Sequence, residues 1–292
     1  MSQSTLWNMM LGTEVVYRDA KGTRTRCIEA GSGPAIFLLH GTGGHAEAWA
    51  KNFNELANHF HVIAFDFVGH GLSDKRADID YLIPDYVQQV RDLMDVMGIK
   101  KAAFVGLSLG AWVASWLAIE SPERVSCVVN ATGAVFRWPE GQPANEAKDR
   151  DSWKKANDEL ATLNRDTVRN RLHTLFHNTD RCPEELVDLR LALYSQPGAP
   201  ELIPALHQMI PYDSPGRVKF GLTPELLAAI SVPVLYLWGE HNPGGSVKGA
   251  QRASEITPHG ELKVIDDAGH WPQWEQPEAF NAIVTEYVEA HQ

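Results

Sequence analysis

One serine in this chain stands where its neighbours could make it a nucleophile. Phe104-Val105-Gly106-Leu107-Ser108-Leu109-Gly110 carries an apolar run into G-x-S-x-G, and Ala111 to Glu120 continues in a helix-compatible pattern. A sharp strand-to-helix turn of this kind holds a serine in a strained conformation at the carboxyl edge of a sheet. Small residues at Gly106 and Gly110 let the backbones pass without a side-chain clash. The hydroxyl is then presented above the new helix's N-terminus, where developing negative charge is favoured. The chemistry such a group does is attack on a carbonyl carbon. The sequence has 12 histidines, so none is singled out by number alone. His173 and His177 stand four apart, but without H-E-x-x-H or a nearby carboxylate set they do not read as a zinc pair.

Positioning Ser108 requires a sheet, and the chain supplies one. Ala35-Ile36-Phe37-Leu38-Leu39, Val62 to Phe65, Ala102 to Val105, Val125 to Val129, Val232 to Trp238 and Leu262 to Ile265 are short apolar runs. Runs without polar alternation predict strands buried on both faces, as in a parallel sheet. Glu14 to Tyr17 and Thr25 to Ala30 predict a leading antiparallel pair. Tyr86, Val90, Leu93 and Met97 fall on one helical stripe, and Glu275 to Ala290 reads as a closing helix. Strand–helix alternation predicts an α/β fold with a mostly parallel sheet and helices on both faces. Residues 136–216 break the rhythm. They show no convincing strand, many prolines, and helical stripes at Leu160 and Leu163; Leu172, Leu175 and Phe176; Leu186, Leu189 and Leu193; Leu202, Leu206 and Met209. The expectation is a core of residues 1–135 and 217–292 interrupted by a helical lid over 136–216.

With the nucleophile turn in this context, the chain resembles the α/β-hydrolase superfamily over about residues 13–290. His40-Gly41-Thr42-Gly43-Gly44 is similar to the family's oxyanion loop, which implies that the Thr42 and Leu109 amides hold the oxyanion. Donors of this kind each lower the barrier by ~3–4 kcal/mol. Asp66-Phe67-Val68-Gly69-His70-Gly71-Leu72-Ser73 looks like the loop after the fourth strand, with His70 structural. Asp267-Ala268-Gly269-His270-Trp271-Pro272 lies where the family places its general base, and the serine-before-histidine order agrees. The resemblance therefore makes His270 the base.

The family's acid, three residues after a glycine in the loop following the seventh strand, is replaced. Trp238-Gly239-Glu240-His241-Asn242-Pro243 puts Asn242 there. An acid fixes the imidazole tautomer and stabilises the imidazolium; in a protease with the same constellation, Asp→Asn lowers turnover roughly 10⁴-fold. Three arrangements stay open: Asn242 orients His270 without charge, Glu240 serves as the acid, or Asp213, Asp266 or Asp267 does. Asn130-Ala131-Thr132, after the sixth strand, offers no carboxylate. An asparagine suits chemistry that needs less charge separation at His270, and so points away from amide hydrolysis.

Within the superfamily, Gly269 to Glu275, the 40–44 loop and Asp188 to Pro197 resemble the meta-cleavage-product hydrolases, which cleave a carbon–carbon bond in vinylogous 1,5-diketone acids. The resemblance places Arg190 on the dienoate, where a planar guanidinium matches both carboxylate oxygens. It places Trp271, Gly41 and Leu107 at the substrate. Leu107 departs from the asparagine common before the nucleophile, which makes the pocket less polar. The expected function is C–C bond hydrolysis through Ser108 and His270. A carboxylesterase or lactonase is the alternative, as is a cofactor-independent lyase or oxygenase in which His270 is the base and Ser108 is not acylated.

Bulk properties narrow the field. The chain has 292 residues, 26 basic and 37 acidic side chains and a formal charge of −11. That balance disfavours phosphate backbones and anionic membranes, so neither nucleic acid nor membrane is expected as a partner. The partner expected is a small molecule, and a homodimer is left open. Hydrophobic content of 44% and charged content of 22% suit a folded globular chain. Cys27, Cys127 and Cys182 are odd in number and form no C-x-x-C, which reads as a reducing compartment. Met1 to Leu11 lacks a signal-peptide pattern, and no apolar run reaches the ~20 residues of a spanning helix. The expected location is cytoplasmic, with no metal or organic cofactor.

Overall fold

The computed structural model describes residues 5–141 and 144–292. Met1 to Ser4, at the start of the segment read for a leader, lie outside it. Among the described residues the strands are β1 (Glu14–Ala20), β2 (Thr23–Ala30), β3 (Ala35–Leu39), β4 (His61–Phe65), β5 (Ala102–Leu107), β6 (Val125–Ala131), β7 (Val234–Gly239) and β8 (Gly260–Ile265). They form one sheet in the order β1-β2-β4-β3-β5-β6-β7-β8. β2 pairs antiparallel with β1 and β4, and every later pairing is parallel.

The apolar runs become central strands because both faces of the sheet are covered, except Leu262 to Ile265, which forms the edge strand β8 and leaves Val264 exposed because no strand lies beyond it. Phe37, Leu39, Phe104 and Tyr236 point to one face, against Tyr86, Val90, Leu93, Trp112 and Val113. Ile36, Leu38, Val105, Leu107 and Leu235 point to the other, against Phe53, Phe280, Val284 and Val288. The alternation is the two-residue period of a strand. Helices Ile83–Val96 and Leu109–Glu120 therefore flank one face, and Pro277–Ala290 the other.

The closing helix differs from expectation in one detail. Glu275 to Ala290 is divided into Pro272–Glu275 and Pro277–Ala290. The residue before a proline is pushed out of the α region; Gln276, before Pro277, has φ −134 and ψ 61.

Between β6 and β7 the chain runs through helices Ala144–Glu159, Arg165–His173, Glu184–Tyr194, Ala199–His207, Pro215–Phe220 and Pro224–Ala228. Leu160 and Leu163, read as a helical stripe, lie in the turn after the first of these. One isolated bridge, Phe136 with Leu222, ties the two ends of this stretch together. Its inner residues extend both apolar layers: Leu172, Leu175, Phe176, Leu186 and Ile203 on one side, Leu206 and Met209 on the other. No helix of the described residues is long and apolar enough to cross a membrane.

Candidate active site

The parallel strands deliver their loops to one edge of the sheet. β3 ends at His40–Gly44, β5 at Ser108, β7 at Asn242 and β8 at His270. Crevices beyond the carboxyl ends of parallel strands are the usual ligand sites of such sheets.

Ser108 sits on the turn between β5 and helix Leu109–Glu120 with φ 54 and ψ −109, a conformation side chains rarely adopt. Strain of this sort costs about 1–3 kcal/mol and persists only where the surroundings enforce it. They do so here. Gly106 packs against the Gly110–Ala111 backbone and Gly110 against the Leu39 carbonyl, so a Cβ on either would collide with main chain. The Ser108 N–H donates to Ala131 O at 3.2 Å, and Trp112 N donates to Ser108 O at 3.1 Å. Gly41 approaches the serine so closely that an added Cβ would lie 3.2 Å from Ser108 Cβ.

His270 is 4% exposed. Its N–H donates to Leu175 O at 2.8 Å, and its carbonyl accepts from Thr132 Oγ1 at 2.8 Å. The Trp153 ring meets the imidazole edge-on, 4.8 Å between centroids. His270 Nδ1 and Asn242 Oδ1 are 2.8 Å apart. Asn242 Nδ2 donates to Gly245 O at 3.1 Å, which turns Oδ1 toward the histidine. An amide oxygen only accepts, so Nδ1 carries the proton and Nε2 keeps its lone pair.

The carboxylates considered as the acid lie elsewhere. Glu240 is exposed and accepts from Asp267 N at 3.3 Å. Asp267 pairs with Arg181, and Asp213 and Asp266 are exposed. The carboxylate that does shape this loop is Glu275, which accepts from Gly269 N at 2.7 Å and from His177 N and Asn178 N at 3.0 Å each. Sequence reading assigned it no such role, because its partners are backbone amides, one of them six residues away and two nearly a hundred.

The 40–44 loop is fastened from beneath. His40 Nδ1 donates to Gly41 O at 2.7 Å, and His40 Nε2 accepts from Phe67 N at 3.0 Å. Tyr194 Oη donates to Gly43 O at 2.9 Å. His70 lies below, ring to ring with His40 at 5.0 Å, its Nδ1 bonded to Val68 O. Thr42 and Leu109 flank Ser108 in the same cavity. Leu109 is the first residue of its helix, so its N–H has no acceptor within the helix.

Two small cavities, about 40 and 30 Å³, meet at Ser108. Both are lined by Thr42, Ser108, Trp153, Ile210 and His270. One extends to Leu109, Trp112 and Arg217, the other to Gly41, Arg171 and Trp271. Ser108 and His270 thus face one space. No hydrogen bond closes between their side chains among the described residues, an opening common in sites without substrate.

Two residues read as substrate contacts are not on these walls. Leu107 points into the apolar layer with Leu38, Ala131 and Leu175. Arg190 is 2% exposed, with its guanidinium 5.7 Å from the Trp271 ring centroid and 5.8 Å from that of Tyr194. It therefore reaches the neighbourhood of the site but not its surface. Arg171, Trp153 and Ile210 line the site and were missed. They come from the helical stretch, where neither motif nor period says which side chains turn inward.

The model of the alpha/beta hydrolase fold family matches residues 34–277. The 2-hydroxymuconate semialdehyde hydrolase of Pseudomonas sp. strain CF600 is 28% identical over 286 residues, covering 95% of this chain and 94% of that one. A meta-cleavage product hydrolase from Pseudomonas fluorescens IP01 superposes with a TM-score of 0.80 at 25% identity, over 95% of this chain and 98% of that one. A putative lipase from Acinetobacter baumannii AYE has a TM-score of 0.83 at 21% identity, over 98% of this chain and 95% of that one, a likeness of fold. A serine held at φ 54 between β5 and its helix, in a chain whose residues 34–277 match that family model, places the protein in the alpha/beta hydrolase fold family.

Proposed function

We propose that this chain is a serine hydrolase acting on a carbon–carbon bond of a diketone-type acid, with residues 136–216 as its lid. The observation that carries the reading is the Asn242–His270 pair beside the Ser108 turn. It leaves Nε2 of His270 as a base on the cavity that Ser108 also lines. Relatives named as semialdehyde and meta-cleavage product hydrolases support the C–C substrate class.

The substrate first takes its keto form, so that cleavage expels a stabilised carbanion. Ser108 Oγ adds to the carbonyl carbon while its proton passes to His270 Nε2. The carbonyl oxygen becomes an oxyanion facing the Thr42 and Leu109 amides. Collapse breaks the C–C bond; its electron pair leaves on carbon and takes the proton from His270. Water, giving one proton to His270, then adds to the acyl carbon; collapse breaks the acyl–oxygen bond to Ser108, His270 returns that proton to Ser108 Oγ, and an acid is released. The covalent intermediate divides one difficult step into two. Because Asn242 carries no charge, the imidazolium is held by orientation rather than by an ion pair.

A fluorophosphonate probe with peptide mapping tests the nucleophile. The expected result is labelling at Ser108 and none in Ser108→Ala; active protein left unlabelled would instead favour the reading in which His270 acts as a base without acylation. Kinetics on vinylogous 1,5-diketone acids, simple esters and lactones test the class. Diketone acids should show the largest kcat/KM, and a larger value for esters or lactones reassigns the protein to an esterase or lactonase.

A further inference from the structure

Arg171 is buried in the helical stretch, 6% exposed, on the wall of the cavity that holds Gly41, Ser108 and Trp271. Its Nε donates to Asn157 Oδ1 at 2.5 Å and its Nη1 to Thr174 Oγ1 at 3.0 Å. Both acceptors are neutral. Among the described residues Nη2 has no hydrogen bond and no carboxylate lies within ion-pair distance. Burial pushes the guanidinium down to about 10. Arg190 is near enough to repel it, and Arg190 is buried with Nε and Nη2 unpartnered. Two buried cations without a counter-charge are costly, since buried charges are ordinarily paired. The arrangement is balanced when an anion enters beside them. Arg190, 5.7 Å from the Trp271 ring centroid, does not line this cavity, whereas Arg171 and Trp271 do.

We propose that Arg171, rather than Arg190, receives the anionic group of the substrate, with Nη2 as the donor left open in the lobe between the 40–44 loop and Trp271. Asn157 and Thr174 fix the plane of the guanidinium, so the remaining donor has a set direction. Arg190, off the cavity wall, adds positive potential without contact. This deepens the reading of the site as a hydrolase of diketone acids and rests on it for the carboxylate.

The test measures binding rather than turnover. Hexa-2,4-dienoate and its methyl ester are titrated into Ser108→Ala protein by calorimetry. The dienoate is expected to bind more tightly than the ester. Adding Arg171→Gln should weaken dienoate binding about 10- to 100-fold, the loss of a charge-assisted hydrogen bond. The ester should change several-fold less, and Arg171→Lys should recover part of the dienoate affinity. If Arg171 only braced Asn157 and Thr174, both ligands would weaken together. Equal effects on both, or a larger loss in Arg190→Gln than in Arg171→Gln, overturn the proposal. The Arg171 Nε–H resonance gives a readout that needs no arginine substitution: it should move with the dienoate and not with the ester, and a static signal at saturation counts against the assignment. Wild-type protein tested on diketone acids separates the two readings. Absence of turnover with the Arg171 effect intact removes the C–C assignment and leaves the anion site standing.

Discussion

Asn242 does with geometry what a carboxylate would do with charge. Its Oδ1 accepts from His270 Nδ1 at 2.8 Å, and its own amide is turned by Gly245 O. Asn242→Ala leaves a buried N–H of His270 without its acceptor, a loss of about 1–3 kcal/mol. Turnover should fall about 10- to 100-fold at constant fold, as read by steady-state kinetics and circular dichroism. Asn242→Asp puts a negative charge beside the imidazole, which favours the imidazolium. The acid limb of kcat/KM against pH should therefore move to higher pH in that variant. An unmoved limb would show that Asn242 does not govern His270. Glu275 supports the same loop from below through three backbone amides.

The β5-turn-helix unit depends on contacts too close for any side chain. Gly110 lies against the Leu39 carbonyl of β3, and Gly106 against the Gly110–Ala111 backbone. Gly110→Ala must push the helix away from β3 or distort the turn. Overpacking of this kind costs about 1–3 kcal/mol, and the shift falls on Ser108 itself. The expected outcome is a lower urea midpoint together with loss of fluorophosphonate labelling; full labelling at wild-type stability would mean that the turn tolerates displacement. The helix that follows packs Leu109, Trp112, Val113 and Leu117 into the layer below the sheet, so it has little room to retreat.

The site is closed over by the helices between β6 and β7. Its cavities of about 40 and 30 Å³ fall far short of the roughly 300–1,000 Å³ of a typical ligand pocket. A larger cavity, about 430 Å³, lies between helices Ala144–Glu159 and Ala199–His207, and Ile210 lines all three. Under the proposed function, admission of substrate requires these helices to part, with Ile210 at the passage. Ile210→Trp should lower kcat/KM for bulky substrates about tenfold while sparing small esters, the signature of obstructed entry rather than damaged chemistry. Equal losses for both would place the damage at the reacting groups.

Stability against pH is a property of the entire fold. Burial holds the imidazoles of His40 and His207 well below their usual range and those of His45 and His70 down to about 4. As pH falls from about 6.5 to 4 the unfolded chain takes up protons at these four positions and the native state does not, so stability is lost. Asp66 opposes them. Burial raises its carboxyl to about 6, so its contribution grows as pH falls through that value. The imidazoles outnumber it, so the net effect is a loss of stability as pH falls. The thermal midpoint should therefore drop steeply between pH 6 and 4; a flat profile would show that these histidines are not held neutral.

Much of this was legible in the order of residues alone. Continuous apolar runs can be buried only on both faces, so β3 through β7 and their parallel arrangement follow from composition over five or six residues, whereas β8, at the sheet's edge, is covered on neither face along most of its length. The Ser108 turn is equally local, because its glycines and its strand and helix are adjacent in sequence. What the tertiary structure decided is which distant groups meet. Asn242 rather than Glu240 faces His270 because the turn after β7 directs one side chain inward and the other to solvent. Arg171 rather than Arg190 lines the cavity because the packing of the helices between β6 and β7 sets which side of each faces Ser108. Those choices depend on contacts between segments tens to hundreds of residues apart, and no local pattern encodes them.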